Sequence, residues 1–172
     1  MLDAPGGNAL YSCVGSLVWE RDPPPGLLAR VGEDYPQEWL DQIRRRGVDV
    51  RGVSILPAAV DVRFFTAFTD RTTRLHDDPV SHFALLGLPF PKALLGYRLP
   101  LPALSSRTHL LPTSLRQNDI PPDYMAAHAA HLCPLDFLTH SVLPAIFRQA
   151  GFTIVTMDPS PAYMNPTFWG DV

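Results

Sequence analysis

The apolar positions of the chain change period several times, and the changes divide it into elements. From Asn8 to Glu20 they fall at Leu10, Cys13, Val14, Leu17 and Val18, the spacing of a helix with one buried stripe. Gly6 and Gly7 lead into it, Asn8 can cap it, and Asp22-Pro-Pro-Pro-Gly26 ends it. The next run, G-L-L-A-R-V-G, is short, apolar and bounded by glycines, as a buried strand is. A helix to Arg46 is predicted after it, with Asp34 as N-cap, Pro36 in the first turn and Gln37 placed for a capping box. It buries Trp39, Leu40 and Ile43, and Gly47 stops it. Val48 to Leu56 reads as extended. Strand, helix, strand in this order predict a βαβ unit and a parallel sheet.

Further on, Val60 to Phe68 and Thr72 to Leu75 carry β-branched and aromatic residues around T-D-R-T, which predicts an antiparallel hairpin. From His76 to Pro122 the chain is proline-rich, with S-H-F-A-L-L-G-L as a short helix and Ser105 to Asp119 as a polar loop. A connection of that length inside a domain is functional or an elaboration of a subgroup. Order returns at Tyr124, and A-H-L-C-P reads as a short strand. Asp136 then caps a helix to Gln149 that turns Leu138, Val142, Ile146 and Phe147 inward, with Pro144 bending or delaying it. After Gly151, F-T-I-V-T-M reads as a buried strand ending at Asp158-Pro-Ser-Pro161. This is a second βαβ unit. With no internal repeat and no visible boundary, residues 1–172 read as one α/β domain, a mostly parallel sheet with helices on both faces and a β-hairpin.

Composition narrows the function classes. The chain has 172 residues, 46% hydrophobic and 18% charged, with a net charge of −3, enough to bury roughly two thirds of the unfolded surface. No basic stripe invites nucleic acid or an anionic membrane; the cluster Arg44-Arg45-Arg46 sits at a predicted helix end, where the dipole favours cations. No apolar run reaches membrane-spanning length, and no charged start precedes an apolar stretch. Cys13 and Cys133 read as small buried hydrophobes in a reducing compartment, so a cytoplasmic protein is expected.

Few residues stand out as chemistry. Asp158 ends a predicted parallel strand, where open α/β sheets bind ligands; a ligand-facing role and a plain turn role are both open. Asp34 and Asp49 have adequate duties as cap and turn. The six histidines pair only as His128 with His131 and His76 with His82, without a third donor spaced for zinc. Cys13 lies on a predicted buried stripe, which argues against a nucleophile.

The runs G-G-N-A-L-Y-S-C-V-G-S-L and L-L-A-R-V-G-E-D-Y-P-Q-E-W-L-D-Q-I-R-R-R-G-V-D-V, then the hairpin V-R-F-F-T-A-F-T-D-R-T-T-R and the later D-P-S-P, resemble the substrate-side half of the ribokinase-like (PfkB) carbohydrate kinases. The resemblance covers residues 6–76 and 124–161, while 77–123 departs from the family's pattern. It implies a partial ribokinase-like fold and, for the family, transfer of the ATP γ-phosphoryl group to a sugar or nucleoside hydroxyl with Mg²⁺, chemistry that rests on positioning and charge neutralisation. It implies that Gly6, Gly7 and Asn8 bind the acceptor: the glycines admit a polyol close to the backbone, and the amide both donates to and accepts from hydroxyls.

The family's Asn-x-x-Glu and Gly-x-Gly-Asp motifs, which hold the metal and phosphates and supply the base, do not occur in this sequence. Its opening strand with a sugar-binding aspartate is not matched either, Asp3 being poorly positioned to replace it. The chain is therefore expected to be an incomplete kinase, inactive alone and without catalytic residues of its own. The alternative is a non-catalytic sugar-binding or interaction module derived from the same fold. The resemblance also implies a lid or a homodimer contact formed by the small strands around the hairpin.

Overall fold

A computed structural model describes residues 4–99, 107–166 and Phe168. Asp3 and part of the 77–123 segment lie outside the described residues. The chain forms two compact units, one of residues 61–99 and one of residues 4–60 with 107–168.

In the larger unit, helix α1 (Asn8–Ser16) opens the chain, followed by strand β1 (Ala29–Gly32), helix α2 (Gln37–Arg45) and strand β2 (Val53–Leu56). β1 and β2 pair in parallel, from Ala29 opposite Val53 to Gly32 opposite Leu56, so the expected strand–helix–strand unit forms. Leu27 packs with Leu17, Ile43, Val48, Val50 and Val53 on the helix side of this pair. The other face carries Leu28, which packs with Leu115, Ile120, Leu132, Leu143, Phe147 and Phe152. Successive side chains of a strand point to opposite faces, and each face here has its own apolar cluster.

The second parallel pair is β5 (Ala129–Leu132) with β6 (Ile154–Met157), in register from Ala129 opposite Ile154 to Leu132 opposite Met157. Helix α4 (Phe137–Gln149) crosses between them. Asp136 caps it as the sequence predicts, its carboxylate accepting from the Thr139 amide at 3.1 Å, and Pro144 lies inside an unbroken helix.

The smaller unit holds the hairpin strands β3 (Ala67–Phe68) and β4 (Arg74–Leu75), antiparallel, and helix α3 (Pro79–Leu85). The Asp70 carboxylate accepts from the Thr72 and Thr73 amides at 2.7 Å each, which shapes the turn and holds that carboxyl well below the usual carboxylate range. Phe65, Ala67 and Phe83 are buried together with Phe90, Leu94 and Tyr97 against them.

Several expectations are corrected. The strands form three separate two-stranded sheets among the described residues, not one sheet. α1 ends at Ser16, leaving Val18 and Trp19 78% and 91% exposed; Gly15 and Ser16 favour helix weakly, so the stripe outruns the helix. Gly7, not Asn8, is its N-cap residue, and no side chain caps it. Pro36 is the N-cap residue of α2, because the Asp34 carboxylate is taken by the Val60 amide at 3.0 Å. In α4 the inward face is Phe137, His140, Leu143 and Phe147, and Val142 is half exposed. β6 is not buried: Ile154 and Met157 are about half exposed. Nor is the stretch before Tyr124 a solvated loop, since Ser114, Leu115 and Ile120 are buried.

That last stretch is tied down by polar groups. Arg30, on β1, donates to the Ser114 carbonyl at 3.2 Å, and its Nε lies 3.7 Å from an Asp119 oxygen with both side chains largely buried. This is ion-pair distance without an aligned hydrogen bond, and Nε has no hydrogen-bond partner. Asp119 also accepts from Ser54 on β2 at 3.2 Å and from the Arg116 amide at 2.8 Å. Tyr124 then lies against the backbone of Gly26 and Gly52; a Cβ on Gly26 would meet its ring at 2.6 Å. Its hydroxyl donates to the Asp49 carbonyl at 3.1 Å, and the Arg51 guanidinium lies 5.5 Å from the ring centroid.

Candidate functional site

The Gly6-Gly7-Asn8 loop is exposed. Gly7 adopts φ 108° and ψ 151°, a region that only glycine enters without strain, and a Cβ there would meet nothing within 4 Å. Its glycine is thus required by backbone conformation rather than by packing. The Gly7 carbonyl accepts the first turn's bond from the Tyr11 amide at 3.0 Å. Among the described residues no side chain caps the helix, so the first amides of α1 lack a side-chain acceptor, and the dipole adds partial positive charge. Asn8 is the first helical residue, so its amide side chain stands beside those donors instead of satisfying them.

α1 is anchored through its next turn. Ser12 Oγ lies 3.6 Å from Cys133 Sγ, at the C-terminal end of β5, while Leu10 and Cys13 join the cluster on the β1–β2 pair. Ser12 is five residues beyond Gly7, about 7.5 Å along a helix axis. Asp158 is fixed at the same end of β5, its amide donating to the Leu132 carbonyl at 2.8 Å, with its side chain exposed. Both the glycine-opened helix and Asp158 therefore neighbour residues 132–133. This is the carboxyl end of a parallel pair, where open α/β folds leave their ligand crevice.

Behind this end lies a buried polar group that sequence reading did not single out. His140 is 5% exposed. Its Nε2 bonds the Cys133 carbonyl at 2.7 Å, and Nδ1 pairs with the Tyr163 hydroxyl. Since a carbonyl only accepts, Nε2 carries the proton and Nδ1 accepts from Tyr163. Burial holds the imidazole below its ordinary value, against the Cys133 carbonyl and the Asp136 and Asp158 carboxylates, which favour the charged ring. Thr139 is buried too, its hydroxyl donating to Asp136 at 2.6 Å. The signal was present as a histidine on an apolar helical stripe.

The other candidates have structural partners. Asp49 accepts from the Arg51 amide and guanidinium, which lowers its carboxyl. Cys13 and Cys133 are free thiols, and burial pushes Cys13 up to about 11, the opposite of what activates a nucleophile. His131 pairs with Thr156 at 2.9 Å, His128 with Thr153 and His76 with Thr66. Among the described residues no three His, Cys, Asp or Glu side chains come together to hold a metal ion, so no residue is assigned to Mg²⁺ or to ATP phosphates. Among them, too, no helix is long and apolar enough to cross a membrane.

No family model, curated protein or solved structure matches this chain. Its class therefore rests on its own geometry: an α/β protein with small parallel sheets.

Proposed function

We propose that the chain supplies the acceptor-binding side of a ribokinase-like carbohydrate kinase, with Gly6, Gly7 and Asn8 holding a sugar or nucleoside and Asp158 at the margin of the same crevice. The observation that carries this reading is that α1, opened by Gly6-Gly7-Asn8, rests on the C-terminal end of β5 where Asp158 is also fixed. The chemistry fits a polyol. The first helix amides donate, the Asn8 amide group does both, and an exposed Asp158 carboxylate accepts from hydroxyls. The two-residue hairpin strands directly after the first βαβ unit, and the D-P-S-P turn after β6, follow the family's order. In this reading the phosphate-binding and base-supplying groups of the reaction are not assigned to any residue named above.

Calorimetric titration with a panel of pentoses, hexoses and nucleosides tests it. Binding of one class is expected, weakened in Asn8→Ala by about 1–3 kcal/mol because a bound hydroxyl loses its partner. Unchanged affinity in Asn8→Ala removes that residue from the site, and no binding by any of the panel removes the reading. Addition of ATP and Mg²⁺ distinguishes a kinase from a binding module by whether the bound sugar is phosphorylated.

A further inference from the structure

The segment after β6 is held by a contact of a different kind. Pro159 to Pro166 folds into turns, with the Tyr163 and Met164 amides donating to the Ser160 carbonyl at 3.2 Å each and the Asn165 side chain donating to the Ala162 carbonyl at 3.0 Å. Tyr163, 3% exposed, packs edge-on against Phe137 at 5.7 Å between ring centroids and against His140 at 5.5 Å. Phe168, 1% exposed, closes the same cluster, 5.3 Å from Phe137. The Tyr163 hydroxyl also donates to Nδ1 of His140, which joins this segment to α4.

We propose that the His140–Tyr163 pair is an acid-weakened latch, holding the segment from Pro159 to Pro166 against α4 most firmly while the imidazole is neutral. Each nitrogen of the ring has one fixed partner. Nε2 must donate to the Cys133 carbonyl, so Nδ1 is the acceptor that Tyr163 needs. A proton arriving on Nδ1 converts that acceptor to a donor. The Tyr163 hydroxyl must then turn its oxygen to the ring and give up the acceptor its own proton had, in a buried site where the positive charge has lost most of its water. The charged groups around the ring are Asp136 at the cap of its own helix and Asp158 from the end of β6, both favouring protonation, with burial opposing them and prevailing. Arg107, from the segment before β5, lies over the Phe168 ring at 5.7 Å and adds no attraction for a proton.

The direction of the pH dependence follows from linkage. The released histidine has the ordinary value near ~6.5 and the latched one a lower value, so between the two the open form binds more protons. The latch is at full strength above ~6.5 and weakens as pH falls below it, levelling off once the latched ring also titrates. Each unit of depression favours opening by about tenfold. Release frees the chain immediately after Asp158. The proposal stands apart from the acceptor reading and survives its failure.

Hydrogen–deuterium exchange on the full chain at pH ~7.5 and ~5, corrected for intrinsic exchange rates, tests it. Peptides spanning 159–166 are expected to lose protection at the lower pH by about tenfold per unit of depression, while those of α2 keep theirs. In His140→Gln, whose neutral amide can donate to Cys133 and accept from Tyr163 at both pH values, the loss should vanish. Should that variant not fold, an NMR titration of the His140 ring in the unaltered chain decides the matter. A value below ~6.5, coincident with opening, supports the latch. Equal protection at both pH values, a pH dependence that persists in His140→Gln, or a ring titrating at or above the ordinary value overturns it.

Discussion

Gly52 shows how a single missing side chain shapes this protein. A Cβ there would meet Leu28 Cδ2 at 2.5 Å, the Leu27 carbonyl at 2.7 Å and the Tyr124 ring at 3.0 Å. Two of those neighbours are backbone or a ring already fixed by its hydroxyl bond to Asp49, so little can yield. Gly52→Ala is expected to destabilise by about 1–3 kcal/mol, the usual cost of overpacking, read as a lower urea midpoint at unchanged slope; a midpoint equal to that of the unaltered chain would show that Tyr124 moves freely. None of this was legible beforehand, because Gly52 falls inside the run read as extended, and nothing local in the sequence brings Leu28 and Tyr124 to it. Gly7 was legible as a loop glycine, though not as the cap residue, since the pattern rewards the asparagine beside it. His140 was hidden for a related reason. A titratable residue on an apolar stripe looks like an interruption, and only the positions of Cys133 and Tyr163 show it fully bonded.

Among the elements, the βαβ unit from β1 to β2 was the most legible, because stripe and flanking glycines agreed, although the cap fell on Pro36 and not on Asp34. α4 was found at nearly its true length, with Phe147 buried and Ile146 packed on the core as expected. Placing Val142 inward avoids a buried histidine, whereas Val142 is half exposed and the helix buries His140 and Leu143. The segment from Ser114 to Tyr124 was misread most, because its few apolar residues, Leu115 and Ile120, have no period. Its fixation by Arg30 and Asp119 is testable. Asp119→Ala strands a largely buried guanidinium and should cost about 3 kcal/mol, whereas Arg30→Met with Asp119→Leu should regain most of it. Chemical denaturation of the unaltered chain, Arg30→Met, Asp119→Leu and the double variant measures the coupling. A single-variant loss under about 0.5 kcal/mol, the scale of ordinary surface changes, would mean that the pair is solvated and the segment held by its apolar residues alone.

At the scale of the whole molecule, parallel strands are normally covered on both faces, yet Ile55, Ile154 and Met157 are 55%, 50% and 45% exposed. An α/β class was legible from the order of elements, while the division into separate strand pairs was not, since pairing across a sheet leaves no local pattern. The functional account joins residues far apart in sequence, Gly6 to Asn8 with Asp158, through their shared neighbourhood at residues 132–133. Its most direct test is a two-dimensional amide NMR titration of the isotope-labelled chain with the sugar and nucleoside panel. The account predicts saturable shifts at Gly6, Gly7, Asn8 and Asp158 with one class of ligand, and none in the 61–99 unit's Phe83 and Ala84. Saturable binding that leaves the Gly6–Asn8 amides unmoved, or no shift with any member of the panel, would contradict it.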